Sequence, residues 1–247
     1  MKWKQQIHGM KAYQPGKPME EVKKMFGLDE VIKLASNENP FGSSPKVKAF
    51  LQQDETNHAI YPDGYAQNLR TAVANHLGVK ETELIFGNGS DDLIAIITRA
   101  LLYPGVNTVM ADPSFSQYWH NAEIEGAEVR KIPCVDGRHD LDAMLAAIDE
   151  NTSVVWVCSP NNPTGTIVTD VELQNFLKQV PSDVLVVLDE AYIEYVNDPA
   201  HEPTLKYFRE YENVILLRTF SKAYGLASFR VGYGIAQEQV IAKLDPV

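Results

Sequence analysis

Cysteine is scarce in this chain. Its 247 residues hold two, Cys134 and Cys158, and neither belongs to a C-x-x-C pair. That spacing makes a zinc site improbable, and two isolated thiols fit a reducing compartment. Positive charge is also short: 22 Lys and Arg stand against 33 Asp and Glu, for a formal net charge of −11. A general nucleic-acid binder or a protein held on an anionic membrane needs a basic face, so neither class fits. A local nest of N–H groups with one or two cations can still bind phosphate inside an acidic protein. No apolar run reaches the roughly 18 residues of a membrane span, and Met1 to Met10 lacks the apolar core of a signal peptide. The six histidines are scattered, with no metal-ligand spacing, so no metal is expected. The expectation is a cytoplasmic protein.

Apolar residues are plentiful. At 45% they suffice for a sizeable core. Residues 1–60 read as an arm with Pro/Gly clusters and two short helical stretches, and residues 61–247 as the main domain. From Tyr65 onward helical and strand-like segments alternate. Helices are expected at 66–77, 90–102 (N-capped by Ser90), 117–125, 141–148 and after a capping box formed by Thr169 and Glu172. Strands are expected at 83–86, 108–111, 129–132, 154–158, 184–188, 214–217 and 231–235. Several are continuous apolar runs, as buried parallel strands are. The alternation predicts an α/β fold: a mostly parallel sheet sandwiched by helices.

Open parallel sheets bind ligands beyond the carboxyl ends of their strands. The segments at those ends are G-N-G-S-D (87–91), D-P-S-F (112–115), S-P-N-N-P-T-G (159–165), D-E-A-Y (189–192) and R-T-F-S-K (218–222). Together they supply a helix N-terminus, an aromatic ring, an amide, a carboxylate and a lysine. Pyridoxal phosphate needs such a set. Its aldehyde takes a lysine, its pyridine nitrogen a buried carboxylate and its phenolic oxygen hydrogen-bond donors. Its ring takes an aromatic partner, and its phosphate takes N–H groups, hydroxyls and an arginine.

The stretch T-F-S-K-A-Y-G-L-A-S-F-R-V-G-Y (219–233) resembles the cofactor-lysine motif of fold-type I aminotransferases. N-P-T-G (162–165) and D-E-A-Y (189–192) are similar to two further motifs of that family, in the same order. The resemblance covers nearly the whole chain. It implies that Lys222 forms the Schiff base and moves the substrate proton, and that Asp189 pairs with the pyridinium. Tyr192 and Asn162 would donate to the phenolic oxygen, Asn161 serving only the turn. Phe115 would stack on the ring where the family often has tyrosine. Gly89, Ser90 and Asp91 would cradle the phosphate with Thr219, Ser221 and Arg230. Ser228 and Phe229 depart from a common Gly-Leu.

Y-Q-P-G-K (13–17) and L-A-S-N-E-N-P-F-G (34–42) resemble the entry arm and substrate-side loop of the histidinol-phosphate branch, which makes Tyr13 and Asn39 substrate residues. Y-P-D-G (61–64) resembles a turn whose Tyr61 serves the cofactor phosphate of a neighbouring subunit, and so implies a homodimer. The implied reaction moves an amino group between L-histidinol phosphate and 2-oxoglutarate, with glutamate as the other partner. The alternatives are an aromatic-amino-acid aminotransferase, a threonine-phosphate decarboxylase, or a fragment without turnover. The resemblance makes residues 1–60 an N-terminal arm and part of a small domain, and 61–247 the pyridoxal-phosphate-binding large domain. The family pattern continues into the C-terminal part of that small domain, which carries the substrate arginines and is absent from these 247 residues, so the chain is expected to catalyse poorly.

Overall fold

Strands buried on both faces need apolar side chains at successive positions, and the helices covering them need an apolar stripe. Both are realised in the computed structural model, which describes residues 1–12, 16–53, 59–198, 201 and 203–247. Helices α1 (Met19–Phe26), α2 (Pro45–Gln52) and α3 (Gln67–Leu77) come first. Then follow β1 (Leu84–Asn88), α4 (Ser90–Leu101), β2 (Asn107–Asp112), α5 (Gln117–Glu125), β3 (Glu128–Pro133), α6 (Leu141–Ala146) and β4 (Thr152–Cys158). The chain continues through α7 (Asp170–Leu177), β5 (Leu185–Asp189), α8 (Leu205–Glu210), β6 (Val214–Thr219), β7 (Val231–Ile235) and α9 (Glu238–Leu244). None of these helices is long and apolar enough to cross a membrane.

The seven strands form one sheet in the order β1-β7-β6-β5-β4-β2-β3. Strands β2 to β6 pair in parallel, whereas β7 runs antiparallel to both its neighbours, β1 and β6. The two-residue period of a strand sends alternate side chains to opposite faces. Val154, Trp156 and Cys158 of β4 and Leu185 and Val187 of β5 pack under α4, α5 and α9. Val155, Val157, Val186 and Leu188 pack under α3, α6, α7 and α8. The expected α/β fold, a mostly parallel sheet sandwiched by helices, is the observed one. Asp189 has the parity of Leu185 and Val187, which aims it at the α5 side.

Local differences have physical causes. The N-cap of α4 is Gly89, with φ +81°, and Ser90 is the first helical residue. The turn after β1 needs a left-handed residue there, which glycine takes without strain. The helix expected at 141–148 stops at Ala146. Helices α8 and α9 were not expected, being one or two turns with too little sequence to show a period. The capping box of α7 forms as read: Thr169 N–H donates to Glu172 Oε2 at 2.7 Å, and Glu172 N–H to Thr169 Oγ1 at 3.3 Å.

Candidate active site

The carboxyl ends of β1, β2, β4, β5 and β6 meet around a cavity of about 610 Å³. At the β1 end the first N–H groups of α4 have no partner within the helix and carry its positive pole. Two glycines bring the surrounding backbone close. A Cβ on Gly89 would lie 2.4 Å from Arg230 Nη2, and one on Gly232 would lie 2.4 Å from Ser90 N. Arg230 has φ +54°, a left-handed conformation that is uncommon for a side-chain-bearing residue. It sets Nη2 3.0 Å from the Asn88 carbonyl and Nη1 3.4 Å from Ser221 Oγ, with Asp91 Oδ2 3.9 Å from Nη2. Thr219 Oγ1 lies 2.9 Å from Ser221 Oγ and accepts the Ser221 N–H at 3.1 Å. These groups make a pocket of hydroxyls, helix N–H groups and a guanidinium, suited to a phosphate.

Lys222 stands just beyond β6. Its Nζ donates to the Ser36 carbonyl at 3.0 Å and lies 5.6 Å from the centre of the Tyr192 ring. Burial lowers its pKa, against the pull of Asp91 and Glu38. At the end of β5, Asp189 accepts the Tyr118 hydroxyl on Oδ2 at 2.6 Å and the Ala191 N–H on Oδ1 at 3.1 Å. Burial pushes its carboxyl up to about 6, and those two donors restrain the rise. The Tyr192 hydroxyl accepts from Asn37 Nδ2 at 2.9 Å and Asn162 Nδ2 at 3.3 Å. Phe115 meets Tyr118 edge-on, with centroids 5.6 Å apart. Cys158, pushed by burial up to about 12, is a neutral part of the wall. The site therefore offers an amine of lowered basicity, a buried carboxylate, two converging donors, an aromatic face and an anion pocket.

Residues 29–247 match the family described as aminotransferase class I and II. The histidinol-phosphate aminotransferase of Lysinibacillus sphaericus is 75% identical over 247 residues, which are 100% of this chain and 68% of that one. The chain belongs to the histidinol-phosphate aminotransferases of this family. The histidinol-phosphate aminotransferase of Geobacillus thermodenitrificans is 62% identical over 246 residues, covering 100% of this chain and 67% of its own. A crystal structure of histidinol-phosphate aminotransferase from Sinorhizobium meliloti, in complex with pyridoxal-5'-phosphate, superimposes with TM-score 0.90 at 29% identity, over 99% of this chain and 66% of that chain. The chain thus spans about two thirds of the length of these relatives.

In this aminotransferase the cavity gathers Ser90, Asp91, Phe115, Asn162, Asp189, Tyr192, Thr219, Ser221, Lys222 and Arg230. Gly89 stands behind Arg230 at its edge. Other candidates stand apart. Asn39 donates to the Ala223 carbonyl at 2.8 Å and accepts the Phe41 N–H at 2.9 Å, bracing the lysine loop from outside the cavity. Tyr61 is 98% exposed and does not line it. Tyr13 lies outside the described residues. Asn161 does more than shape its turn: its side chain donates to the Pro113 carbonyl at 3.0 Å and accepts the Ser114 hydroxyl at 2.8 Å, clamping the β2 loop to the β4 loop. Sequence reading missed Asn37, Cys158 and Tyr118. Asn37 sits in the same S-N-E-N run as Asn39, and spacing alone does not tell which amide reaches inward. Tyr118 follows Phe115 by three, a helical spacing that could have drawn attention to it.

Proposed function

We propose that this aminotransferase binds pyridoxal 5'-phosphate on Lys222 and moves an amino group between L-histidinol phosphate and 2-oxoglutarate, a step of histidine biosynthesis. The observation that carries the reading is the convergence of Lys222, Asp189, Tyr192, Asn162 and Arg230 on one cavity. The residues fit the cofactor. The cradle at Gly89 and Gly232 would be closed by any Cβ, and the Asp189 carboxylate sits deep enough to want a cationic partner. Ser90, Thr219, Ser221 and Arg230 would hold the phosphate, with the N–H groups that open α4 and follow Gly89. Phe115 would cover the ring face, and Tyr192 and Asn162 would donate to the phenolic oxygen.

When bound, the cofactor supplies an electron sink for negative charge at the substrate α-carbon. The chain supplies the rest. Asp189 holds the proton on the ring nitrogen. Lys222 Nζ, made less basic by burial, takes and returns the proton at the α-carbon. The reading also makes residues 1–60 an N-terminal arm and part of a small domain, and 61–247 the large domain that binds pyridoxal phosphate. The protein is then a cytoplasmic homodimer in which Tyr61 of one subunit serves the cofactor phosphate of the other.

The test is a comparison of steady-state rates on histidinol phosphate, phenylalanine and threonine phosphate with pyridoxal phosphate saturating. Histidinol phosphate should have the highest kcat/KM. Equal or faster turnover of phenylalanine, or release of carbon dioxide from threonine phosphate, would overturn the substrate assignment.

A further inference from the structure

A carboxylate at the end of a buried strand is costly to keep ionised, because burial favours the neutral acid. Asp189 is 3% exposed. Of its two donors, the Ala191 N–H is a nearby backbone group that almost any sequence would supply. The Tyr118 hydroxyl is different: it comes from α5, 71 positions away in sequence.

Tyr118 is itself held rigidly. It is fully buried. Its ring stacks on Trp156, with centroids 4.7 Å apart and planes 13° apart, and takes the edge contact with Phe115. Trp156 Nε1 donates to Thr108 Oγ1 at 2.8 Å, and Thr108 Oγ1 donates to the Val154 carbonyl at 2.8 Å. The indole is thereby pinned to the sheet, and the phenol is pinned to the indole.

We propose that Tyr118 is the positioning residue of this site: its hydroxyl keeps the Asp189 carboxylate ionised and aimed into the cavity, while its ring backs Phe115. The assignment rests on the reading of Asp189 as the partner of the ring nitrogen. A carboxylate has about four lone-pair sites. Tyr118 and Ala191 occupy one on each oxygen, and Asp189 still lines the cavity, so accepting capacity remains on the open side. One aromatic residue thus couples the partner of the ring nitrogen to the partner of the ring face. Other ionisable groups also face Asp189. Asp91 from α4 and the adjoining Glu190 favour its neutral form. Lys222 beyond β6, the Cys158 thiol at the end of β4 and Tyr192 also sense its charge. The phenol itself is pushed up by burial and by the Asp189 charge, so it stays a donor at neutral pH.

The decisive variant is Tyr118→Phe, which keeps the ring and deletes the hydroxyl. In cofactor-free protein the Asp189 carboxyl can be followed by carbon-13 NMR and assigned by its loss in Asp189→Asn. It should titrate about one pH unit higher in Tyr118→Phe than in wild type. With nitrogen-15-labelled pyridoxal phosphate added, the ring-nitrogen titration should change too, its signal near neutral pH moving toward that of the unprotonated ring, because a carboxylate stripped of this donor is a stronger base and takes a larger share of the proton between them. A merely structural tyrosine would shift Tm and leave both titrations where they are. If Tyr118→Phe does not fold, uniform replacement of tyrosine by 3-fluorotyrosine offers a second route. It makes the phenol a stronger donor and should move the Asp189 titration down. An unchanged Asp189 titration in the folded variant, or in the fluorinated protein, overturns the proposal. Failure of the wild type to bind pyridoxal phosphate would count against the cofactor reading, while the carboxyl titration would still decide the role of Tyr118.

Discussion

Asp189 shows most plainly that the site's chemistry is set against stability. Its carboxyl is raised from 3.8 to about 6 in the folded protein, with burial the largest cause. Between those values the folded state holds more protons than the unfolded state, so stability falls as pH rises through the window. The full effect, present above pH 6, is about 3 kcal/mol of destabilisation in the absence of a cationic partner. Cofactor-free Asp189→Asn should therefore be the more stable protein at pH 7.5, by up to that amount, and should lose the slope between pH 4 and 6. Urea denaturation across that range measures both, and an unchanged slope would exclude Asp189 as its source. The same substitution should lower the transaminase rate roughly 10²–10³-fold, as loss of other preorganised charges does. For Lys222, borohydride treatment with pyridoxal phosphate should fix the cofactor on the peptide containing residue 222, and Lys222→Ala should abolish that label. An equal label in the variant would assign the lysine elsewhere. That Lys222, Asp189, Asn162 and Tyr192 would share one cavity was legible because each ends or follows a strongly apolar strand in a short motif. Tyr118 was not legible as a partner of Asp189, since that contact joins distant segments and leaves no local pattern.

At the scale of elements, the strands were easier to read than their directions. Continuous apolar runs marked β4, β5 and β6 within one or two residues. Strand β7, with two glycines among its five residues, reads in sequence as one more strand of the set but runs the other way. The reason lies in the connection before it. A parallel return needs a crossover of a dozen or more residues, usually helical. Residues 220–230 contain only the 3₁₀ turn Ala227–Phe229, which leaves room for a short reversal alone. That reversal carries Arg230 back to the N-terminus of α4. The fit is tight at Gly232, where a Cβ would meet Ser90 N at 2.4 Å. Gly232→Ala should force β7 and the phosphate pocket apart and cost about 1–3 kcal/mol, as overpacking does. Affinity for pyridoxal phosphate should fall with it, as measured by fluorescence titration beside a thermal melt. Undiminished affinity would show that the pocket does not depend on this contact.

At the scale of the whole molecule, burial is uneven. Neither α1 nor α2 contains a buried residue, and Trp3, Phe26, Leu34, Phe41 and Phe50 are exposed. Tyr61 shares that exposure, in keeping with a role toward a second subunit. Mixing Lys222→Ala with Tyr61→Ala protein should then restore some tight cofactor sites, because a mixed dimer has one site with both residues intact. If mixing gives only the average of the two variants, the sites are not shared. The order of strands has a further consequence, for the birth of the chain. Strand β1 has a single neighbour in the sheet, and that neighbour is β7, paired from Leu84 with Ile235 to Asn88 with Val231. On a ribosome adding about 5–20 residues per second, the apolar strand made first waits on the order of ten seconds for its mate. Until then the turn at Gly89 has no Gly232 or Arg230 to rest on, so the pocket proposed for the phosphate can close only after β7 has slotted between β1 and β6.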